Sequence, residues 1–220
     1  MKIALTIFIL IISYCQAQSL SKHNLSAGLL GNGTAMNDNT IYHSSLFTGG
    51  VSINYIYQYR KEVSLITGID YLQKGGTGDV VYYNSVGDKV GGYQQNLYLN
   101  YFQIPILLRF ETTLLKSKEQ DKPSKLIGML GFGGYVSLLA DGWTNPQVLG
   151  VNHNVSEDFN FWDKGILTYV GIGIPINNKA RINLAWNYGL GIGNVSTKYQ
   201  SNTTYNALQL ALQYNLPSNK

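Results

Sequence analysis

From Val51 to Leu216 the chain alternates large apolar residues with small or polar ones, segment after segment. Period two is the mark of a strand whose two faces meet different surroundings. The clearest stretch is Arg181–Gly193, where Ile182, Leu184, Trp186, Tyr188, Leu190 and Ile192 oppose Asn183, Ala185, Asn187, Gly189 and Gly191. Leu208, Leu210, Leu212, Tyr214 and Leu216 oppose Ala207, Gln209, Ala211, Gln213 and Asn215 in the same way. Similar runs cover 51–60, 63–72, 101–110, 126–138 and 166–174, and a glycine-blurred one lies near 24–33. The pattern predicts eight strands.

The face that turns outward follows from what fills each face. In a soluble barrel of the lipocalin kind the bulky apolar face turns in. Here that face is almost pure Leu, Ile, Val, Phe and Tyr, whereas the other carries Gly, Ala, Ser, Asn and Gln with scattered Tyr and Arg. Eight strands enclose a space just wide enough for side chains to fill. Small and polar residues suit that interior, and a bulky aliphatic face suits lipid. The expected fold is therefore all-β: an eight-stranded antiparallel up-and-down transmembrane β-barrel.

Connection lengths orient it. Arg60-Lys61-Glu62 and Ile176–Lys179 are short, whereas 34–48, 75–95 and 141–163 read as long loops. Outer-membrane barrels have short periplasmic turns and longer outer loops. The link Glu111–Ser124, medium in length and charged, falls on the short-turn side. Pro105 interrupts the fourth strand; because proline removes a ladder donor, a bulge or irregularity is expected there.

The first residues change the picture by assigning a compartment. Met1-Lys2, the apolar run Ile3–Ile12 and the sequence Cys15-Gln16-Ala17 read as a secretory signal, residues 1–17, ahead of a barrel domain, residues 18–220. The apolar run is too short to cross a bilayer as a helix. Tyr14 stands where lipidation of Cys15 would want a small residue, so Cys15 is expected to leave with the signal. Disulfides and thiolate chemistry then drop out. Without Lys2 the chain has 15 basic and 12 acidic residues, too mild a balance to argue for nucleic acid.

Candidate chemistry is sparse. His23, His43 and His153 are dispersed, and only His43-Ser44-Ser45 sets a histidine beside a hydroxyl. The acidic set Asp141, Glu157, Asp158 and Asp163 offers oxygen ligands for calcium without the regular spacing of a dedicated loop. Neither pattern amounts to a catalytic or metal site, and no cofactor is expected. The sharper feature is inward charge: Arg60, Arg109 and Arg181 at periplasmic strand ends, with Asp70 higher on the same face. Buried charges need partners, and Gln58, Glu62, Gln103 and Glu111 are available. A structural lumen network is expected, plugged above by Tyr101, Leu107, Tyr135, Leu167 and Tyr169.

Three stretches bear a likeness to known proteins. Tyr98-Leu99-Asn100-Tyr101-Phe102-Gln103-Ile104-Pro105-Ile106-Leu107-Leu108-Arg109-Phe110 is the first. The others are Gly68–Gly76 and Trp162-Asp163-Lys164-Gly165-Ile166 with Val170-Gly171-Ile172-Gly173. Together they resemble the PorT-like outer-membrane β-barrel family of Bacteroidetes-type bacteria, although Gln103 stands where an acid is usual. The resemblance implies an outer-membrane location, a link of some members to protein secretion, and no catalytic residues. The expected role is non-enzymatic, in the envelope, in interaction or in secretion support, through the outer loops or the charged periplasmic segment. The expected surroundings are outer-membrane lipid and lipopolysaccharide, with secretion or envelope proteins as partners. A lipid-modifying enzyme or small-ligand-binding barrel is the alternative.

Overall fold

The computed structural model describes residues 22–38, 42–115, 126–146, 153–197 and 201–217. The expected signal segment with Cys15, most of the charged link 116–125 and the side chain of His43 lie outside the described residues. Eight long strands run in chain order: β1 (Lys22–Asp38), β2 (Leu46–Arg60), β3 (Val63–Tyr83), β4 (Lys89–Leu115), β5 (Leu126–Pro146), β6 (Trp162–Pro175), β7 (Ala180–Gly191) and β8 (Ser201–Asn215). Each pairs antiparallel with its sequence neighbour, and β8 pairs with β1 from Asn24↔Asn215 to Asp38↔Ser201. The sheet is thus a closed up-and-down ring, which leaves no long strand with an unpaired edge through the barrel body. Two short strands, Tyr42–Ser44 and His153–Asn154, attach to β3 and β5 at the outer end.

The alternation places side chains as the composition of the faces requires. Ile53, Ile69, Ile106, Leu130, Phe132, Leu184, Leu208 and Leu210 point outward and stay exposed, while Asn24, Ser52, Gln103, Ser137, Asn183 and Gln213 are buried inside. The apolar face therefore forms an external belt, as expected of a barrel built to stand in lipid. Inside, glycine makes room for aromatic rings. A Cβ on Gly189 would sit 2.0 Å from the Tyr205 ring, and one on Gly165 would sit 2.6 Å from that of Tyr135.

Short turns close one end. Lys61 and Glu62 join β2 to β3, and the Asn177 side-chain oxygen accepts from the backbone N–H of Lys179 and Ala180 between β6 and β7.

Three sequence expectations need correction. The 75–95 stretch is not a loop: β3 and β4 continue paired through Tyr83↔Lys89, and only Asn84–Asp88 turns. The Asn84 side-chain oxygen accepts from the N–H of Val86 and Asp88, and Gly87 (φ 93°) takes the backbone geometry that L-residues avoid. Likewise β5 runs to Pro146, and β1 and β2 absorb much of 34–48. The physical reason is cross-strand pairing, which extends the sheet past the point where the apolar alternation fades. Pro105 marks the expected irregularity, though not as a bulge. It pairs with Tyr135 on β5, and the β3–β4 register is the same on both sides of it, Thr67↔Ile106 and Asp70↔Gln103. The missing N–H interrupts that ladder opposite Gly68 and Ile69 without shifting it. Register shifts in the ladders of β4 fall elsewhere, at Asn100/Tyr101 and Thr113/Leu115 with β5 and at Tyr82/Tyr83 with β3.

Candidate functional site

Packed layers fill the lumen from its middle to the outer mouth. Midway, Leu30, Ile56, Ile66, Leu107, Leu167 and Tyr205 pack together. Above them lies a second apolar cluster, Met36, Tyr42, Leu97, Leu99, Tyr101, Leu139 and Val195, with Val155 and Phe159 laid against it. The segment carrying Val155 and Phe159 folds over the outer mouth. Its backbone is tied down by bonds from Val155 N–H to Gly142 O and from Asn160 N–H to Val195 O, at 2.9 and 2.8 Å.

Two charged clusters sit among these layers. In the upper one the Lys74 ammonium donates to Asp163 Oδ2 at 2.7 Å, both side chains essentially sealed from water. The rings of Tyr101, Tyr135 and Tyr205 surround the ammonium at 5.0, 4.3 and 5.1 Å. Thr203 Oγ1 and Tyr135 OH also donate to Asp163 Oδ2, at 2.9 and 3.4 Å, and Ser137 Oγ lies 3.5 Å from the ammonium. Tyr205 OH in turn accepts from Gln103 at 2.8 Å. Such a cage supplies through ring faces and hydrogen bonds what the lysine loses in hydration.

The lower cluster gathers Arg109, Glu111 and Arg181. Arg181 grips Glu111 with both terminal guanidinium nitrogens, Nη1 and Nη2, at 2.7 and 2.6 Å, the two-pronged geometry that suits a carboxylate, and Arg109 reaches the same carboxylate at 2.6 Å. Ser64 and Gln213 accept further bonds from Arg109 at 3.2 and 3.5 Å, and Gln213 also takes the Arg181 Nε–H at 3.1 Å. Two cations thus share one anion, at the edge of a vestibule of about 770 Å³ that opens at the short-turn end.

Of the four residues expected to form one lumen network, the structure brings together Arg109 and Arg181. Asp70 is buried away from both arginines, against Asn54 and Gln103 and within electrostatic reach of Lys74, and lines a cavity of about 30 Å³ that has room for water. Arg60 is not in the lumen at all. A register shift between Gln58 and Arg60 at the end of β2 turns its side chain out, and its guanidinium lies 5.5 Å from the Tyr59 ring. Glu111 serves as a partner, as its position suggested.

The acidic set does not assemble either. Asp163 is in the lumen, Asp141 accepts from the Asn100 side chain, and Glu157 and Asp158 belong to the short 3₁₀ turn Ser156–Asp158. His23 bonds to the Tyr55 hydroxyl near the short-turn end, and His153 is exposed at the outer end. Among the described residues no three of His, Cys, Asp and Glu gather as a metal site.

Sequence reasoning passed over Lys74 and placed Asp163 in an outer loop. Their signal was parity: Asp70, Leu72 and Lys74 share one face of β3, as do Asp163, Gly165 and Leu167 on β6. Ending β3 at Leu72 and starting β6 at Ile166 hid both.

Comparison with known proteins agrees with this architecture. No protein-family model and no curated protein matches the chain. Among solved structures, Neisserial surface protein A (NspA) superposes with a TM-score of 0.50 at 11% identity, covering 88% of this chain and 97% of that one. The outer membrane protein OprG from Pseudomonas aeruginosa (TM-score 0.46, 10% identity) covers 92% of this chain and 99% of its own. Ail, the attachment invasion locus protein of Yersinia pestis (TM-score 0.45, 9% identity), covers 88% and 99%. At such identities the likeness concerns the fold alone: this chain is an all-β, closed antiparallel barrel of the outer-membrane type.

Proposed function

We propose that the protein is a non-enzymatic outer-membrane barrel of the PorT-like kind, anchored by its belt and working through what projects from it. The observation that carries this reading is the filled lumen. Apolar packing, a caged ion pair and an arginine–glutamate cluster follow one another along the axis. A barrel of eight strands has no room for a solute path beside such groups. The exposed belt supports an outer-membrane location, and the three sequence motifs support the family.

Among the described residues, the part that projects is the β3–β4 ribbon. Beyond Gly78 and Gln95 its two strands pair only with each other among the described residues, and Tyr82, Tyr83, Val86 and Val90 are 49–83% exposed along it. Solvent-exposed apolar and aromatic residues on an open-edged ribbon suit contact with another envelope protein.

The test has two arms. The purified full chain in planar bilayers shows no steady conductance; an ohmic channel altered by Arg109→Ala would overturn the closed-lumen reading. Replacing residues 79–94 by an Asn-Gly turn leaves the heat-modifiable barrel intact on gels. In a gene-deletion strain it then fails to restore the profile of secreted and surface proteins. Full restoration by the trimmed chain would remove the ribbon from the function.

A further inference from the structure

A single lysine breaks the outward apolar face of the β5–β7 wall. On β6 the outward residues are Trp162, Lys164, Ile166, Thr168, Val170, Ile172 and Ile174; the outward residues of β5 and β7 beside them carry no charge. Lys164 is exposed, and among the described residues no carboxylate pairs with it. It lies across from Val136 on β5, and its backbone oxygen accepts from Ile192 N–H at 2.9 Å. A Cβ on Gly193 would lie 3.7 Å from Lys164 Cγ, so the lysine stem runs along a residue that has no side chain to block it.

Around this stem is an external groove of about 800 Å³, walled by Val136, Phe161, Trp162, Ile192 and Gly193. Phe161 and Trp162 meet edge to face with ring centres 5.6 Å apart, and both are more than half exposed. The Asn160 side chain donates to Asn194 O at 2.8 Å, which ties the groove's two segments together.

Height along the barrel decides what this groove can hold. Ten residues of strand separate Ile174 from Lys164; at ~3.4 Å per residue and a tilt of ~40°, Lys164 stands roughly 26 Å above Ile174. That is about the height of the apolar band of such barrels, so the ammonium reaches the outer headgroup level while its stem stays among apolar side chains. A cation there, next to aromatic and aliphatic walls that continue into the belt, complements an amphiphile with an anionic head and an acyl chain.

We infer that the Lys164 groove binds an outer-leaflet lipid whose phosphorylated head carries a net negative charge, phosphate on the ammonium and acyl chain along Val136 and Ile166. This rests on the reading that the belt stands in a membrane. The experiment uses the full chain carrying Trp143→Phe and Trp186→Phe, so that Trp162 reports alone. The chain is placed in phosphatidylcholine nanodiscs containing a minor share of brominated phosphatidylglycerol or of brominated phosphatidylcholine. The anionic quencher should reach Trp162 with about a fivefold preference, the factor expected of one basic residue at an anionic surface. Lys164→Gln should abolish that preference while leaving the heat-modifiable barrel unchanged, and inorganic phosphate should not compete.

Equal quenching by the two lipids, or a preference that survives Lys164→Gln, overturns the inference and leaves the membrane reading standing. Relief by inorganic phosphate would show a bare anion site rather than a lipid groove. A Trp162 signal that depends on protein concentration in phosphatidylcholine alone would assign the groove to a second copy. Absence of quenching by either lipid overturns the membrane reading and this inference together.

Discussion

The two charged clusters of the lumen answer the same problem in different ways. The upper one balances one cation against one anion, seals both from water and supplements the pair with three tyrosine rings. The lower one sets two arginines on one glutamate, keeps its carboxylate about 10% exposed and abuts an aqueous vestibule. Burial explains the contrast. Where water cannot reach, charge must cancel; near the mouth, solvent tolerates an excess of positive charge. The upper cluster is therefore the less forgiving, although sequence reading had pointed to the lower.

That asymmetry can be broken most sharply at Asp163. Asp163→Ala strands the Lys74 ammonium in a sealed cage and should cost about 3–5 kcal/mol, the range for one half of a buried pair. Adding Lys74→Met should recover most of the loss. Urea unfolding of the barrel in lipid vesicles reads both, and a single variant as stable as wild type would mean that the cage tolerates a lone cation.

A smaller effect is expected at the lower cluster. Glu111→Gln removes the shared carboxylate and should cost no more than about 1.5–3 kcal/mol, since water at the mouth can solvate the arginines. Molar salt should weaken the wild-type lower cluster and narrow the gap between wild type and Glu111→Gln. A salt response confined to Asp163 variants would reverse the ranking of the two sites. Arg60→Ala should fall within about 0.5 kcal/mol of wild type, as surface substitutions do. A loss as large as that at Glu111 would return Arg60 to the lumen.

Legibility in the sequence tracked how local each property is. Every strand whose faces contrast, such as 181–191 or 207–215, could be placed from alternation alone. The Leu184 and Leu210 faces pointed outward as expected. Strand ends were less legible. Beyond Leu72 the chain reads Gln73-Lys74-Gly75-Gly76, which carries no apolar period, yet pairing with β4 holds it in the sheet as far as Tyr83. The same pairing carries Lys74 into the lumen. Arg60 failed in the opposite direction, because one residue of register shift beside a turn exchanges inside for outside.

By itself, then, the sequence determined the number of strands, the face each turns outward and the antiparallel order that short alternate turns impose. These follow from period two and connection length, both readable in a short window. Tertiary structure alone decided which lumen groups meet. Lys74 and Asp163 are 89 positions apart and sit on strands separated by two others. Their contact depends on the stagger with which the ring closes and on the reach of side chains across it, and no local pattern encodes either. Closure likewise set the unequal rim, since β3–β5 climb for as long as they find one another while β6 and β7 stop at the belt.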